Sequence, residues 1–235
     1  MKNKIILSIS LILITLLTNC SSPLEEVEVN NFNLIRASFN LVKNISKDGT
    51  VTDFVEVSIS DKNYKNFELE GAIITVNGTK MDYQSGFLKN KYYSTIGISL
   101  DTEYEFVFTL ASGETQTATL VTPAVNYNSI SYLEEVDINK DYHITWNKGS
   151  APVKIKLVLD DTSFGKPSYV FKDSMENDNG TFVIPGNEMQ KYDYTQTCFF
   201  DLTYIGEVKT TPTKFRSTVT TVEVIYSAKG INIKK

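Results

Sequence analysis

Along most of the chain, apolar residues recur at every second position, the period of a strand with one buried face. Val55, Val57 and Ile59 alternate with Glu56, Ser58 and Ser60. Ala72 to Val76 runs into Asn77-Gly78, the strongest short hairpin signal, and Thr79 to Tyr83 returns from it. Tyr104, Phe106, Phe108 and Leu110 alternate with Glu103, Glu105, Val107 and Thr109. Ser112-Gly113 then turns the chain into a threonine-rich strand, Thr115 to Val121. Thr122-Pro123 closes this unit, because proline cannot continue a central strand.

The same period restarts after Pro123. Ile144 and Trp146 share one strand face, and His143 and Thr145 share the other. Val153, Ile155, Leu157 and Leu159 alternate with Lys154, Lys156, Val158 and Asp160. Asn179-Gly180 leads into Thr181 to Ile184, and Gly186 to Lys191 is long enough for one helical turn. Tyr194 to Ile205 and Lys214 to Ser227 are the long strands at the end. The alternation predicts an all-β protein, with a boundary at residues 122–126.

The N-terminus departs from this pattern. Met1-Lys-Asn-Lys4 is a short basic stretch, and Ile5 to Leu17 is apolar apart from Ser8, Ser10 and Thr15. Such a run suits an export signal but falls short of the ~20 residues that span a bilayer. It ends in Leu17-Thr-Asn-Cys20. This resembles a bacterial lipobox, with Asn19 where the family pattern has a smaller residue. The resemblance implies diacylglycerol on the Cys20 thiol, cleavage before Cys20, and palmitate among its acyl chains. Ser21, rather than an aspartate, resembles the choice for transfer to the outer membrane. The alternative is an ordinary secretory signal with an incidental cysteine, but no small-x-small cleavage site follows the apolar run. Residues 1–19 are thus read as signal peptide and 20–31 as the lipidated cysteine and its tether. The tether's Glu25-Glu-Val-Glu28 resembles the surface-export signals of Bacteroidota-type lipoproteins; a solvated linker or an edge strand is the plainer reading.

Removing residues 1–19 from the 235 leaves 216, room for two sandwiches of about 100 residues. Two further stretches bear on this. Leu100-Asp-Thr-Glu-Tyr104-Glu-Phe-Val-Phe108 is similar to the sixth strand of fibronectin type III domains, and the resemblance implies that Tyr104 forms a tyrosine corner. Ile144-Thr-Trp146 followed by Val153-x-Ile155-x-Leu157 resembles the second and third strands of the same family. Two tandem immunoglobulin-like β-sandwiches are therefore expected, at 32–123 and 124–235.

Composition narrows the function. Loss of Lys2 and Lys4 with the signal moves the net charge from −5 to about −7, the wrong sign for a nucleic-acid binder. One histidine and two cysteines exclude most zinc, haem and iron–sulfur frameworks. With Cys20 lipidated, Cys198 has no disulfide partner, and Phe199 and Phe200 beside it predict a buried, inert thiol. His143 is expected to face away from the core that Ile144 and Trp146 fill, and no Gly-x-Ser-x-Gly elbow occurs.

Asp137-x-Asn139-x-Asp141 has the spacing of half a calcium loop. It carries Tyr142 where the loop needs glycine and Lys148 where it needs glutamate, so a polar turn is expected. Asp173, Glu176 and Asp178 offer oxygen ligands, but such residues are equally ordinary in an acidic surface loop. No metal and no cofactor is expected. Thirteen tyrosines could stack on sugars or peptides, with Tyr92-Tyr93 and Tyr192-x-Tyr194 the densest pairs. One of Tyr92 and Tyr93 should be buried and the other free, and Trp146 should be core.

The expected function is that of a noncatalytic lipoprotein of the bacterial cell envelope, at the outer membrane, acting as an interaction, adhesion or structural module. Its partners would be the membrane through its lipid, and envelope proteins or glycans; the alternative is a glycan-binding or nutrient-uptake accessory lipoprotein.

Overall fold

The computed structural model describes residues 31–85, 90–148, 153–160, 169–176, 180–190 and 197–234. The signal, Cys20 and nearly all of the tether lie outside the described residues, as do Asp178, Asn179, Lys191, Tyr192 and Tyr194.

The first sandwich uses eight strands in chain order: β1 (Arg36–Ser46), β2 (Val51–Ser60), β3 (Ile73–Val76), β4 (Thr79–Lys80), β5 (Asp82–Gln84), β6 (Lys91–Ser94), β7 (Glu103–Thr109) and β8 (Thr115–Val121). One sheet runs β1-β2-β6-β5 and the other β8-β7-β3-β4. This is the A-B-E-D and G-F-C-C′ arrangement of an immunoglobulin-like fold. The alternating residues meet between the sheets: Phe39 and Leu41 from β1, Val55, Val57 and Ile59 from β2, Tyr104, Phe106 and Phe108 from β7. Phe39 lies edge-on to Phe106 and Phe108, at centroid distances of 5.6 and 5.3 Å.

Asn77 and Gly78, both with positive φ, form the expected hairpin turn. The return strand is shorter than expected. It pairs with β3 only over Thr79 and Lys80; Met81 then buries its side chain in the core, and β5 continues in the opposite sheet. A buried methionine at the crossing lets one polar-looking segment serve both layers.

The second sandwich contains β9 (Ser131–Tyr132), β10 (Glu135–Asp137), β11 (Tyr142–Thr145), β12 (Val153–Asp160), β13 (Tyr169–Glu176), β14 (Thr181–Ile184), a single helical turn α1 (Gly186–Met189) and β15 (Thr197–Ile205). One sheet runs β14-β11-β9; β13, β12 and β15 belong to the other. Ile144, Trp146, Ile155, Phe182, Cys198, Phe200 and Leu202 fill the space between them. Val158, expected on the outer face of β12, is buried too, and the β12–β13 register is irregular between Leu157 and Val158.

The last two strands join the halves. After β15 the chain returns to the first sandwich. β16 (Glu207–Thr210) pairs with β8, and the long β17 (Ser217–Lys234) pairs parallel with β1 from Arg36↔Ser217 to Ser46↔Ser227. β17 then runs on into the second sandwich, antiparallel to β15 over Glu223–Asn232 and parallel to β10 at Asn232–Lys234. It begins at Ser217, later than the expected Lys214, and ends well beyond Ser227. A single sheet therefore passes through both sandwiches. Phe215 and Val222 belong to the first apolar cluster, and Ile45 from β1 belongs to the second.

Between the clusters, the core-facing side of β1 changes character. Ala37, Phe39, Leu41 and Ile45 are buried, and Lys43 stands in the same row. Its Nζ lies 3.2 Å from Asp53 Oδ1 and donates to the Ile98 carbonyl at 2.8 Å, while the Ile98 N–H donates to Asp53 Oδ2 at 2.8 Å. The ammonium and the carboxylate each keep a partner where the two cores part.

Candidate functional site

Tyr104 sits at the start of β7, where the sixth-strand resemblance places a tyrosine corner. Its ring is buried. Its hydroxyl accepts from the Ser99 N–H at 2.6 Å and donates to the Gly97 carbonyl at 3.3 Å. Thr122 closes the same corner: its hydroxyl accepts from the Thr102 N–H at 3.0 Å and donates to the Ser99 carbonyl at 2.8 Å. These bonds are structural, fixing the segment between β6 and β7.

His143 is exposed on β11, opposite Val183, while Tyr142, Ile144 and Trp146 point inward. Any Ser–His–carboxylate arrangement would have to assemble on that face. A serine with a close carboxylate lies elsewhere among the described residues: Ser227 on β17 donates to Asp201 Oδ1 on β15 at 2.6 Å. β15 and β17 lie in the sheet across the core from β11, so these groups do not converge with His143.

Ser227 and Asp201 line an open cleft of about 390 Å³ with Thr197, Phe199, Lys229 and Gly230. It forms where the β15–β17 register is irregular between Cys198 and Phe200, and Gly230 there has φ of +71°. The cleft is lined by one carboxylate, one lysine and one phenyl side chain, a set that suits a small polar group. Sequence periodicity alone could not reveal it, because Asp201 and Ser227 become neighbours only through strand pairing.

Cys198 contributes to the floor of that cleft but is itself buried, and burial pushes its thiol up to about 12. A thiol held that high is protonated at neutral pH and a poor nucleophile. In native protein, Cys198 should therefore react with a maleimide much more slowly than in urea-unfolded protein, with little acceleration between pH 7 and pH 8.5. Native labelling at the unfolded rate would contradict this placement.

The Asp137–Asp141 segment is a turn between β10 and β11. Asp137 Oδ1 accepts from the Asn139 N–H at 2.9 Å and Oδ2 pairs with Lys140 at 3.1 Å, which together hold its carboxyl below the usual range. Asn139 Oδ1 accepts from Gln190 at 3.1 Å, and Asp141 Oδ1 accepts from the Gly186 N–H at 3.1 Å. Gly186 packs so tightly on this turn that a Cβ would come within 2.7 Å of the Lys140 nitrogen. The oxygens thus tie the turn to both ends of α1. A smaller recess of about 250 Å³ beside it mixes Glu135, Asp137 and Asp141 with Lys140 and Lys234. Asp173 and Glu176 fall on β13, at the end of the other sheet's strand order. Among the described residues, no group of three potential ligands gathers closely enough to hold a metal.

The tyrosine pair splits as strand geometry requires. Tyr92 is buried, accepting from the Leu69 N–H at 2.8 Å, and Tyr93 lies half-buried on the other face. Trp146 is core. A more accessible aromatic is Tyr64, 72% exposed in the turn after β2, with φ of +63°. The Arg36 guanidinium lies 4.2 Å from its ring centroid, and Arg36 donates to its hydroxyl at 2.9 Å. The sequence signals this only as a tyrosine in a polar run, Asp61 to Asn66.

Fold and sites together define an all-β protein of two immunoglobulin-like sandwiches sharing a strand, with small open recesses on its surface. No family model and no curated protein matches the chain. Thirteen solved chains match it. Among them is the SGBP-B protein of the Bacteroides ovatus mixed-linkage glucan utilization locus, in complex with a mixed-linkage heptasaccharide; the alignment is 13% identical, covers 88% of this chain and 69% of that one, and has a TM-score of 0.19. No helix among the described residues is long and apolar enough to cross a membrane.

Proposed function

We propose that the chain is a noncatalytic lipoprotein of the bacterial cell envelope, tethered through Cys20 at the outer membrane and serving as an interaction or adhesion module. The observation that carries this reading is the sequence Leu17-Thr-Asn-Cys20 at the end of a basic-then-apolar signal, followed by the polar stretch Ser21 to Asn31 ahead of the first sandwich. Residues 21–30, fully extended, span ~35 Å, enough to lift the sandwiches clear of lipid headgroups. Two acyl chains or more bind far more firmly than one, since each buried methylene contributes ~0.8 kcal/mol. His143 lies on the sheet opposite Ser227 and Asp201, which favours a binding role over acyl-transfer chemistry.

Cross-linking in intact native membranes tests the interaction role. One or a few envelope proteins or glycans should be captured reproducibly, and capture should be lost when a soluble 21–235 fragment is added in excess as competitor. A glycan array probed with the same fragment separates the two partner classes: hits assign the module to glycans, and an empty array with a competed protein cross-link assigns it to proteins. No specific cross-link and no hit would contradict the binding role.

A further inference from the structure

The geometry points to a mechanical function: the protein carries tension between the N-terminal end of β1 and the second sandwich, with β1 and β17 loaded in shear. The cellular role of such tension rests on the anchored, partner-binding reading above, whereas the mechanical property is intrinsic to the fold.

The argument starts from strand direction. β1 and β17 are parallel neighbours, in register from Arg36↔Ser217 to Ser46↔Ser227. The tether enters at the Arg36 end of β1. The second sandwich lies past the opposite end, where β17 continues beyond Ser227 between β15 and β10. A pull between tether and second sandwich therefore draws β1 toward its N-terminus and β17 toward its C-terminus. The two strands must slide past one another, and all the hydrogen bonds between them share the load together. If the strands were pulled from the same end, the bonds would break one at a time.

Three further features resist sliding. β1 is held along its other edge by β2, antiparallel from Arg36↔Ser60 to Ile45↔Val51, so extracting β1 shears two ladders at once. Ala37, Phe39 and Leu41 of β1 are fully buried in the first core and Ile45 in the second, so sliding also drags apolar side chains out of both clusters. Lys43 and Asp53 lock β1 to β2 through a largely buried ion pair that also binds both backbone groups of Ile98. The return excursion of the chain through β16 and the start of β17 adds one strand to each sheet of the first sandwich, so the covalent linker at 122–130 is bypassed by paired backbone. A flexible string of independent modules needs no such excursion; a rigid bar that transmits force does.

Single-molecule pulling of the purified chain tests this without reference to acylation. With handles at Asn31 and Lys234, the pull shears β1 against β17. With handles at Asn31 and Thr213, an exposed position just before β17, it peels the same strands from their Arg36–Ser217 end. The shear geometry should need at least about threefold more force at the same loading rate, because slanted parallel bonds then rupture collectively. Equal forces in the two geometries, or release of the first sandwich at the lower force when pulled from Asn31 and Lys234, would overturn the proposal. If shear resistance holds but Cys20 carries no lipid, the mechanical property stands and only the anchor reading fails.

Discussion

Replacing Tyr104 with alanine should lower the unfolding free energy by on the order of 3 kcal/mol, as large aromatic truncations in cores do. Two losses combine. The ring leaves a void beside Phe106 and Leu120 in the first cluster, and the hydroxyl's bonds to Ser99 and Gly97 disappear. For a chain of this size the midpoint of thermal unfolding should fall by about 10 °C. Tyr104→Phe separates the two contributions: it keeps the ring and strands the part-buried Ser99 N–H, which should cost on the order of 1 kcal/mol. Calorimetry or chemical denaturation measures both. An unchanged midpoint for Tyr104→Ala would mean that the ring is not core and the corner does not exist.

Gly206→Ala should be comparably severe, for a different reason. Gly206 is the single residue between β15 and β16, where the chain crosses from one sandwich to the other, and its N–H donates to the Val222 carbonyl at 2.8 Å. A Cβ there would lie 2.3 Å from the Val121 carbonyl oxygen and 2.4 Å from Val222 Cγ1. One neighbour is backbone and the other a buried β-branched residue, so relief requires β8 and β17 to separate. The expected cost is on the order of 3 kcal/mol. Gly97→Ala is the control, since its Cβ would meet only Asp53 Oδ2 at 3.8 Å, and it should stay within about 0.5 kcal/mol of wild type. If Gly206→Ala is as mild as Gly97→Ala, the crossing is looser than the contacts imply.

What could be read from the sequence, and what could not, follows from the range of the interactions. Strands that bury one face write a period of two, and Val55–Ile59, Tyr104–Leu110 and Tyr142–Trp146 all fold as that period demands. The inward turn of Tyr104, the outward turn of His143 and the burial of Cys198 follow from the same rule. β9, β10 and β16 are two to four residues long, too short to show any period, and β16 is exposed at every position. β1 alternates over Ala37, Phe39 and Leu41, but Lys43 interrupts the row. That interruption marks the junction of two cores, and its meaning depends on Asp53 and Ile98, which only the fold brings near. The role of β17 was hidden for a related reason: its alternation fits any buried sheet, while its parallel partner lies about 180 residues earlier in the chain, and long-range pairing leaves no local trace. The cleft at Asp201 and Ser227 has the same origin.

The proposed lipid anchor at Cys20 has a direct test. Cells expressing the wild-type chain or Cys20→Ala are fed a radiolabelled or clickable palmitate analogue, and the protein is followed through membrane fractionation. Label on the wild-type protein in the outer-membrane fraction, with the Cys20→Ala chain unlabelled and released from membranes, is the predicted result. A Cys20→Ala chain that stays membrane-bound, or a wild-type chain that takes up no label, would contradict the account.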